Sequence, residues 1–263
     1  MSVKSITYNG FNLQDDNVRT KDIVYRNVPS KVLDLQPRAR RDGFRLVNTY
    51  YSLKDISVNG SVTEDTESAL KAKVDAMKRA LDTDEANLDI EDGGVSMRWV
   101  CSVQSFNVPE EHYHITRIPY NIIFRCQPFA HSTSSTVDTS SVTTASSTKT
   151  IVIAGSASPS PVIRWTANGA PSSPVTEISL ENTTTGDKIV VGSLVIAANN
   201  DYLEIDTEKM TCKTSYGGGP EVLRDFTGVF PKFATSTNSY TVTVTSAGSF
   251  NLNQSITYYA AYL

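Results

Sequence analysis

The sequence is poor in the residues on which several protein classes depend. It has three cysteines in 263 residues, Cys101, Cys126 and Cys212, and no two of them form a CxxC pair. Secreted domains held together by disulfides have even numbers of cysteines in a regular framework, so an odd and scattered set argues against that class. We therefore expect synthesis in the cytosol and free, mostly buried thiols.

Long apolar runs and an excess of basic residues are also missing. No stretch approaches the roughly 18 consecutive apolar residues of a membrane span. Met1–Tyr8 contains no apolar core of a signal peptide, so none is expected. The chain has 24 Lys and Arg against 28 Asp and Glu, which gives a net charge of −4. Because broad nucleic-acid binding needs a basic face, that function is not expected either.

Histidine is scarce, which leaves few candidates for metal binding or general-base catalysis. Of the three histidines, His112 and His114 would lie on one face of a strand, as some metal sites require. Glu110 is the only nearby candidate for a third ligand. A polar edge strand explains the same pattern, and we favour it over a metal site.

Three other segments have some features of known functional motifs but do not match them. Asp82–Gly93 is acidic, but Asn87 and Gly93 stand where a calcium-binding loop needs Gly and Glu, so we expect a solvated helix exit. Gly217–Pro220 lacks the Lys-Ser/Thr pair and the helix of a phosphate loop and is expected to be a flexible hairpin tip. Pro37–Arg41 is a basic cluster, for which pairing with an acidic surface of a neighbouring subunit is favoured over DNA contact. We predict no catalytic, cofactor-binding or metal-ligating residue, no cofactor and no enzyme activity.

Aromatic residues offer one remaining route to a ligand. On the surface of a β-sandwich they stack on sugar rings, whereas at strand spacing they more often belong to the core, which is our expectation here. The residues concerned are Trp99, Trp165, Tyr50, Tyr51, Tyr202, Tyr216, Tyr258, Tyr259 and Tyr262.

Short apolar runs separated by turns dominate the chain and predict a mainly-β protein. The clearest region is Ile178–Thr214, where alternation predicts a half-buried antiparallel sheet built from successive hairpins. Its predicted strands are Ile178–Asn182, Asp187–Val191, Ser193–Ile196, Tyr202–Ile205 and Lys209–Lys213. Ser5–Leu13 is predicted to be a hairpin around Asn9 and Gly10. Arg45–Tyr51 and Asp55–Thr63 are predicted to pair with each other.

One helix is predicted, at residues 66–82. Thr63 and Thr66 are possible N-caps, and Glu64 and Glu67 favour the positive end of a helix. The apolar positions that follow recur at helical spacing and form a single stripe: Leu70, Val74, Met77 and Leu81.

The two halves of the chain differ in charge. Residues 1–130 hold 17 Lys and Arg and 18 Asp and Glu, whereas residues 131–263 hold 7 and 10. Between them lies His131–Thr148, nearly all Ser and Thr, which is either a flexible linker or an extended edge strand. We favour the strand and divide the chain into domains at 1–130 and 131–263. The fragment 1–130 is expected to fold and to form oligomers by itself.

Several segments, taken in their order and spacing over nearly the whole chain, resemble one known family. They are Ile6–Gly10, the helix after residue 65, Arg117–Tyr120 leading into Phe124–Pro128, Gly155 with Pro161–Trp165, Ile178–Gly186, Asp201–Asp206 and Ile256–Leu263. Together they resemble the distal tail proteins of long-tailed bacteriophages.

The resemblance implies a structural role in a virion. It implies a tail-tube-like β-fold with one helix in 1–130 and a galectin-like antiparallel β-sandwich in 131–263. Six copies would close into a ring around the DNA channel, joining the tail tube protein to the tail tip protein and to receptor-binding fibres. The protein would be made in the host cytoplasm and lie at the distal end of the tail. The family has no motif of functional residues, so the resemblance implies none for this chain.

Two alternatives remain open. One is a carbohydrate-binding module used for adhesion, which the aromatic residues of the second half would serve. The other is a tail-tube subunit that polymerises into filaments, although such a subunit does not usually have so large a second domain.

Overall fold

The computed structural model describes residues 3–38, 42–109 and 116–263. They form two compact units, of which the first comprises the chain up to Thr133 together with Tyr262–Leu263 and the second comprises Ser134–Ala261. Each unit has its own apolar core. The prediction of a mainly-β protein is confirmed, and within the described residues there is one helix.

Up to Thr133, the described residues of the first unit form ten strands and the helix. In chain order they are β1 (Val3–Tyr8), β2 (Phe11–Asn12), β3 (Val18–Val24), β4 (Lys31–Pro37), β5 (Phe44–Tyr51), β6 (Lys54–Thr63), α1 (Glu67–Leu81), β7 (Ala86–Asp92), β8 (Val95–Asn107), β9 (Arg117–Cys126) and β10 (Ala130–Ser132).

The remaining strands are short and alternate with turns. They are β11 (Thr136–Val142), β12 (Ser146–Ile153), β13 (Val162–Ala167), β14 (Val175–Asn182), β15 (Asp187–Val191), β16 (Tyr202–Asp206), β17 (Thr211–Ser215), β18 (Val222–Leu223), β19 (Thr227–Gly228), β20 (Ser236–Ser246), β21 (Leu252–Tyr258) and β22 (Ala261–Tyr262).

A large antiparallel sheet forms the centre of the first unit. Its main path is β2-β1-β7-β8-β9-β6-β3, and β10 joins it by pairing with β8 and β22. The predicted helix is confirmed as α1, whose N-cap Thr66 accepts a hydrogen bond at its Oγ1 from the Ala69 backbone N–H at 3.2 Å. The predicted stripe is also confirmed, because all four of its apolar residues are buried in the core.

The first hairpin is confirmed at its predicted turn. β1 and β2 pair through Tyr8 and Phe11, with Asn9 and Gly10 between them. Both turn residues have positive φ angles, 48° and 78°. A two-residue turn of this kind matches the twist of the flanking strands and favours Asn-Gly.

The predicted pairing of Arg45–Tyr51 with Asp55–Thr63 is wrong. β5 pairs with β4, whereas β6 lies inside the main sheet between β3 and β9. The two strands differ in burial: Ile56, Val58 and Val62 of β6 are buried in the core, whereas β5 is exposed along most of its length. The pairing is suggested by the short distance between the two segments in sequence. In the structure, β6 pairs on both sides with other strands of the main sheet, and this places its apolar residues in the core.

The segment Asp82–Gly93 is a strand and not the solvated helix exit that its acidity suggested. β7 occupies most of it and pairs with β1 and β8. Leu88 and Ile90 alternate with the carboxylates and lie fully in the core. Asp89 and Glu91 lie on the opposite face of the same strand, whereas Asp92 lies on the buried face. The acidic composition alone therefore does not show the alternation.

The expectation of free thiols is wrong for two of the three cysteines. Cys101 of β8 and Cys126 of β9 stand directly opposite each other, with 4.0 Å between their Cα atoms, and form a disulfide. Nothing in a sequence separation of 25 marks such a pair, because the strand register alone brings the residues together. Cys212 is free and buried as expected, and burial raises the pKa of its thiol to about 11.

Reducing the Cys101–Cys126 bond is expected to lower the free energy of unfolding of the first unit by about 3 kcal/mol. The bond restricts the unfolded chain by closing a loop across a separation of 25 residues. Amide hydrogen exchange in β8 and β9, with and without reductant, measures the change, and Cys212→Ala is the matched control. Alkylation of the unfolded, unreduced protein should label one thiol, and three labelled thiols would contradict the bond.

The second unit consists of two antiparallel sheets around a common core. One has the order β11-β21-β13-β16-β17-β18 and the other β12-β20-β14-β15-β19. The core between them includes Trp165, Leu180 and Ile205, all buried. Two sheets that share one core in this way form a β-sandwich.

The region Ile178–Thr214 is divided between the two sheets, so its prediction as one sheet is wrong. The hairpins β14–β15 and β16–β17 are both present, but they lie in different sheets. Ser193–Ile196 does not pair with β16; Ile196 instead forms an isolated bridge to Val175. Alternation shows that a strand has a buried face, but not which sheet contains it.

The Ser/Thr-rich segment His131–Thr148 is largely extended, in agreement with the edge-strand interpretation and not with a flexible linker. It includes the end of β10, all of β11 and the start of β12. β11 and β12 are terminal strands of the two different sheets of the second unit. Val142 reaches the core, whereas Val137 is exposed.

Candidate assembly surface

A hairpin formed by β4 and β5 stands apart from the main sheet. It is a separate two-stranded sheet, and every residue of β4 is exposed, as is every residue of β5 except Tyr51. A two-stranded hairpin is at best marginally stable in water. This hairpin therefore gains stability if something covers it.

A β-bulge aligns the apolar residues of the hairpin. Asp34 pairs with Asn48 but the next residue, Leu35, pairs with Leu46, so Val47 is an extra residue on β5. The bulge shifts the alternation of β5, because directly opposite residues share a face. Five apolar residues consequently share one face, which we call the apolar hairpin face: Leu33, Leu35, Pro37, Phe44 and Leu46.

The apolar hairpin face is open to solvent, whereas the opposite face is mixed. Phe44 is 63% exposed and Leu46 is 53% exposed. On the other face the pairs toward the tip are polar, and Val32 pairs with Tyr50 near the base. An exposed, contiguous apolar patch is typical of a protein–protein contact.

The base of the hairpin is held by two contacts between its own strands and by one contact with the rest of the first unit. The Ser52 backbone N–H donates to the Ser30 carbonyl at 2.8 Å. The ring of Tyr51 packs edge-on against Phe129 at 5.2 Å, and the Lys31 ammonium lies 5.3 Å from the centre of the Tyr51 ring. These contacts hold the strands at their start and leave the apolar hairpin face uncovered.

The main sheet also presents an edge. β3 is its terminal strand, and a terminal strand has a row of backbone groups available for pairing. Beside it lies a cleft of about 580 Å³ that contains Arg26 and Asp92. Tyr25 donates a hydrogen bond to the Asp92 carboxylate and Arg26 forms an ion pair with it, and both lower the pKa of Asp92. The carboxylate is thus held ionised although it is buried.

A buried lysine lies in the core of the first unit. Lys54 is 3% exposed, and among the described residues no hydrogen-bond acceptor contacts its Nζ. The Nζ lies 5.2 Å from the centre of the Trp99 ring, and burial lowers the pKa of the amine. No local sequence pattern indicates that this residue is buried, because a lysine at the start of a strand is ordinarily exposed.

Most of the candidate site residues from the sequence are not among those that the structure describes. Glu110, His112 and His114 lie outside the described residues, as do the arginines at the end of Pro37–Arg41. Within residues 3–38, 42–109 and 116–263, no group of three His, Cys, Asp or Glu side chains is placed to hold a metal ion. Gly217–Pro220 connects the paired strands β17 and β18, as predicted for a hairpin tip.

Most of the aromatic residues considered for sugar stacking are at least partly buried. Trp99, Trp165 and Tyr258 belong to the cores, as expected from strand spacing. Tyr50 and Tyr259 are about half exposed, at 53% and 50%, and Tyr50 is in the hairpin of the first unit. In the part of the chain that the structure describes, no helix is long and apolar enough to cross a membrane.

Comparison with solved structures finds the whole fold in a phage protein. The SPP1 Dit (gp 19.1) protein, a paradigm of the hub adsorption apparatus in phages that infect Gram-positive bacteria, matches with a TM-score of 0.70 and 18% identity, over 98% of this chain and 99% of that one. This chain has the fold of Dit. The resemblance to distal tail proteins is therefore confirmed for the fold.

Two weaker matches are baseplate structures. The phage P2 baseplate in its activated conformation with Ca matches with a TM-score of 0.45 and 9% identity, over 98% of both chains. The form with Sr matches with a TM-score of 0.41 and 10% identity, over 96% of both chains. No protein-family model and no curated protein sequence matches this chain.

Proposed function

We propose that the protein is a structural hub of a phage tail tip. Six copies form a ring that joins the tail tube protein to the tail tip protein and to host-binding fibres, and phage DNA passes through its channel. The protein lies at the distal end of the tail after synthesis in the host cytoplasm, and it is not an enzyme. The observation that supports this most strongly is the fold shared with SPP1 Dit over 98% of the chain.

The hairpin provides the contact from which such a ring is built. The apolar hairpin face of one copy packs against the first unit of the next copy, where the terminal strand β3 is available. A contact between two different surfaces of identical subunits is heterologous, and it generates a ring when the rotation closes. A second copy is the favoured occupant because residues 1–130 have nearly balanced charge, 17 basic against 18 acidic, so two copies of this domain carry no large net charge that would repel them.

The two domains, 1–130 and 131–263, have different roles in this proposal. The first forms the ring and the second serves as a platform for other tail proteins. A fragment that ends at residue 130 is expected to remain folded and to form oligomers, because it retains both the hairpin and β3. Amide exchange and sedimentation of the fragment test this division, and an unfolded fragment would show that residues 131–263 are needed for the first domain to fold.

The location of the protein in the virion tests the function. An antibody raised against the purified protein should label only the distal tail end in electron micrographs of the phage that encodes it. Labelling along the whole tail would favour a tail-tube subunit. The absence of any label on intact and on disrupted tails would contradict a virion role.

A further inference from the structure

A second exposed apolar surface lies on the second unit. Four apolar residues within eight positions are exposed there: Val222, Leu223, Phe226 and Val229. Leu223, at 68%, is as exposed as any large apolar residue of the described chain. We call these four residues the apolar strip. The strip is distinct from the hairpin proposed for ring formation, which belongs to the other unit.

The strip coincides with the edges of both sheets of the sandwich. β18 is a terminal strand of the six-stranded sheet and β19 is a terminal strand of the five-stranded sheet, so one short segment forms one edge of each sheet. The Arg224 backbone N–H donates to the Cys212 carbonyl at 2.9 Å, and the Val229 N–H donates to the Lys188 carbonyl at 2.7 Å. The outer side of a terminal strand can accept an extended polypeptide as a further strand.

The strip is held in a fixed conformation. The rings of Phe226 and Phe230 pack edge-on at 4.7 Å. Gly228 has a φ of +96°, and a Cβ at this position would lie 2.2 Å from the Lys188 carbonyl oxygen, so the close approach of β19 to β15 needs glycine. A surface that is already ordered loses little conformational entropy when it binds a partner.

A groove beside the strip combines apolar walls with negative charge. Its volume is about 370 Å³, and its lining includes Leu223, Phe226, Glu177 and Asp225. Within the described residues, neither carboxylate is in an ion pair or a side-chain hydrogen bond. Arg224 also lines the groove, so two carboxylates face one basic side chain there. The Nε of Arg224 donates to Thr214 Oγ1 at 2.8 Å and its guanidinium lies 5.1 Å from the ring of Tyr216, so this side chain already has partners.

We propose that this surface binds an extended peptide segment of another protein. The backbone of the segment pairs with the edge strands, its alternate apolar side chains cover the strip, and a lysine or arginine enters the groove between Glu177 and Asp225. The negative groove specifies a basic residue through charge complementarity. The inference goes beyond the proposed function and does not depend on ring formation.

Selection from a library of random 12-residue peptides tests this proposal. The full-length protein is the only target, and the variant Leu223→Ser/Phe226→Ser is kept for the binding measurements that follow. We expect the enriched peptides to have apolar residues at alternate positions and at least one Lys or Arg. A synthetic peptide from the selection should bind at least tenfold more weakly to this variant, because two apolar contacts are lost.

Charge variants separate specific binding from general adhesion to an apolar patch. The same peptide should bind several-fold more weakly to Glu177→Gln/Asp225→Asn, and replacing its basic residue by Gln should have the same effect. Val152→Ser, which alters an exposed valine on the terminal strand β12, should leave binding unchanged.

Three results would overturn the proposal. They are a selection without enrichment, enriched peptides that lack a basic residue, and binding that does not respond to Leu223→Ser/Phe226→Ser. Self-association of the protein that this variant abolishes would show that a second copy occupies the strip, which also contradicts it. Ring formation through the hairpin is measured separately, so the two proposals can fail independently.

Discussion

Replacing Leu35 and Leu46 by serine is expected to leave the protein as a monomer of 28.7 kDa under conditions where the unchanged chain assembles. The two leucines form a directly opposed pair at the centre of the apolar hairpin face. Burying the exposed part of each contributes about 1–1.5 kcal/mol to a contact. Their loss therefore weakens each subunit contact by roughly 100-fold.

The effect on a closed ring exceeds the effect on a single contact. Each subunit of a ring makes two such contacts, one with each neighbour, so the double substitution weakens both contacts of every subunit. Sedimentation velocity across a concentration series measures the shift from ring to monomer. Because the hairpin is a separate sheet outside the core, amide exchange of β6–β9 should not change.

The matched control is Val32→Ser, on the opposite face of the same hairpin. This variant should assemble like the unchanged protein if the apolar hairpin face makes the contact. Assembly that survives Leu35→Ser/Leu46→Ser, or that is lost equally in Val32→Ser, would show that the contact lies elsewhere.

Replacing Lys54 by methionine is expected to raise the free energy of unfolding of the first unit by about 2 kcal/mol at neutral pH. The ammonium loses its hydration on folding and gains only its contact with the Trp99 ring. A buried charge without hydrogen-bond partners costs more than a cation–π contact returns. The methionine side chain has a similar length and carries no charge, so it loses no hydration of a charged group on folding.

The gain from Lys54→Met should depend on pH in a defined direction. Burial lowers the pKa of Lys54 in the folded state below its unfolded value of about 10.4. The unfolded state therefore binds more protons between these two pKa values, and the stability of the unchanged protein rises with pH in that interval. The difference between the two proteins should be largest below the folded-state pKa and should shrink as pH rises toward about 10.4.

Lys73 offers a closely matched control. Its ammonium also lies over an aromatic ring, 5.6 Å from the centre of Phe11, but it has an ion pair with Asp15 at 3.0 Å. Lys73→Met should therefore destabilise the first unit slightly, by about 0.5 kcal/mol. Amide exchange of β8 measures both variants, and a destabilisation by Lys54→Met equal to that by Lys73→Met would contradict the account.

Local patterns predicted the parts of the fold that depend on neighbouring residues. The stripe from Leu70 to Leu81 is buried as predicted, because helical periodicity alone decides which face packs. The turn at Asn9 and Gly10 follows from backbone preferences of those two residues. The hairpins β14–β15 and β16–β17 follow from alternation around short turns.

Features that depend on strand register between distant segments were not predictable in the same way. The disulfide arises because Cys101 and Cys126 are opposite each other in a pair of strands. The apolar hairpin face arises because the single extra residue Val47 changes which side chains of β5 share a face. The burial of Lys54 likewise follows from its place in the main sheet, and no local pattern indicates it.

Electron microscopy of the purified full-length protein, up to its solubility limit, tests the central claim most directly. The account predicts closed rings of six subunits with an open channel. Images that contain only monomers, or open filaments that grow with concentration, would contradict it.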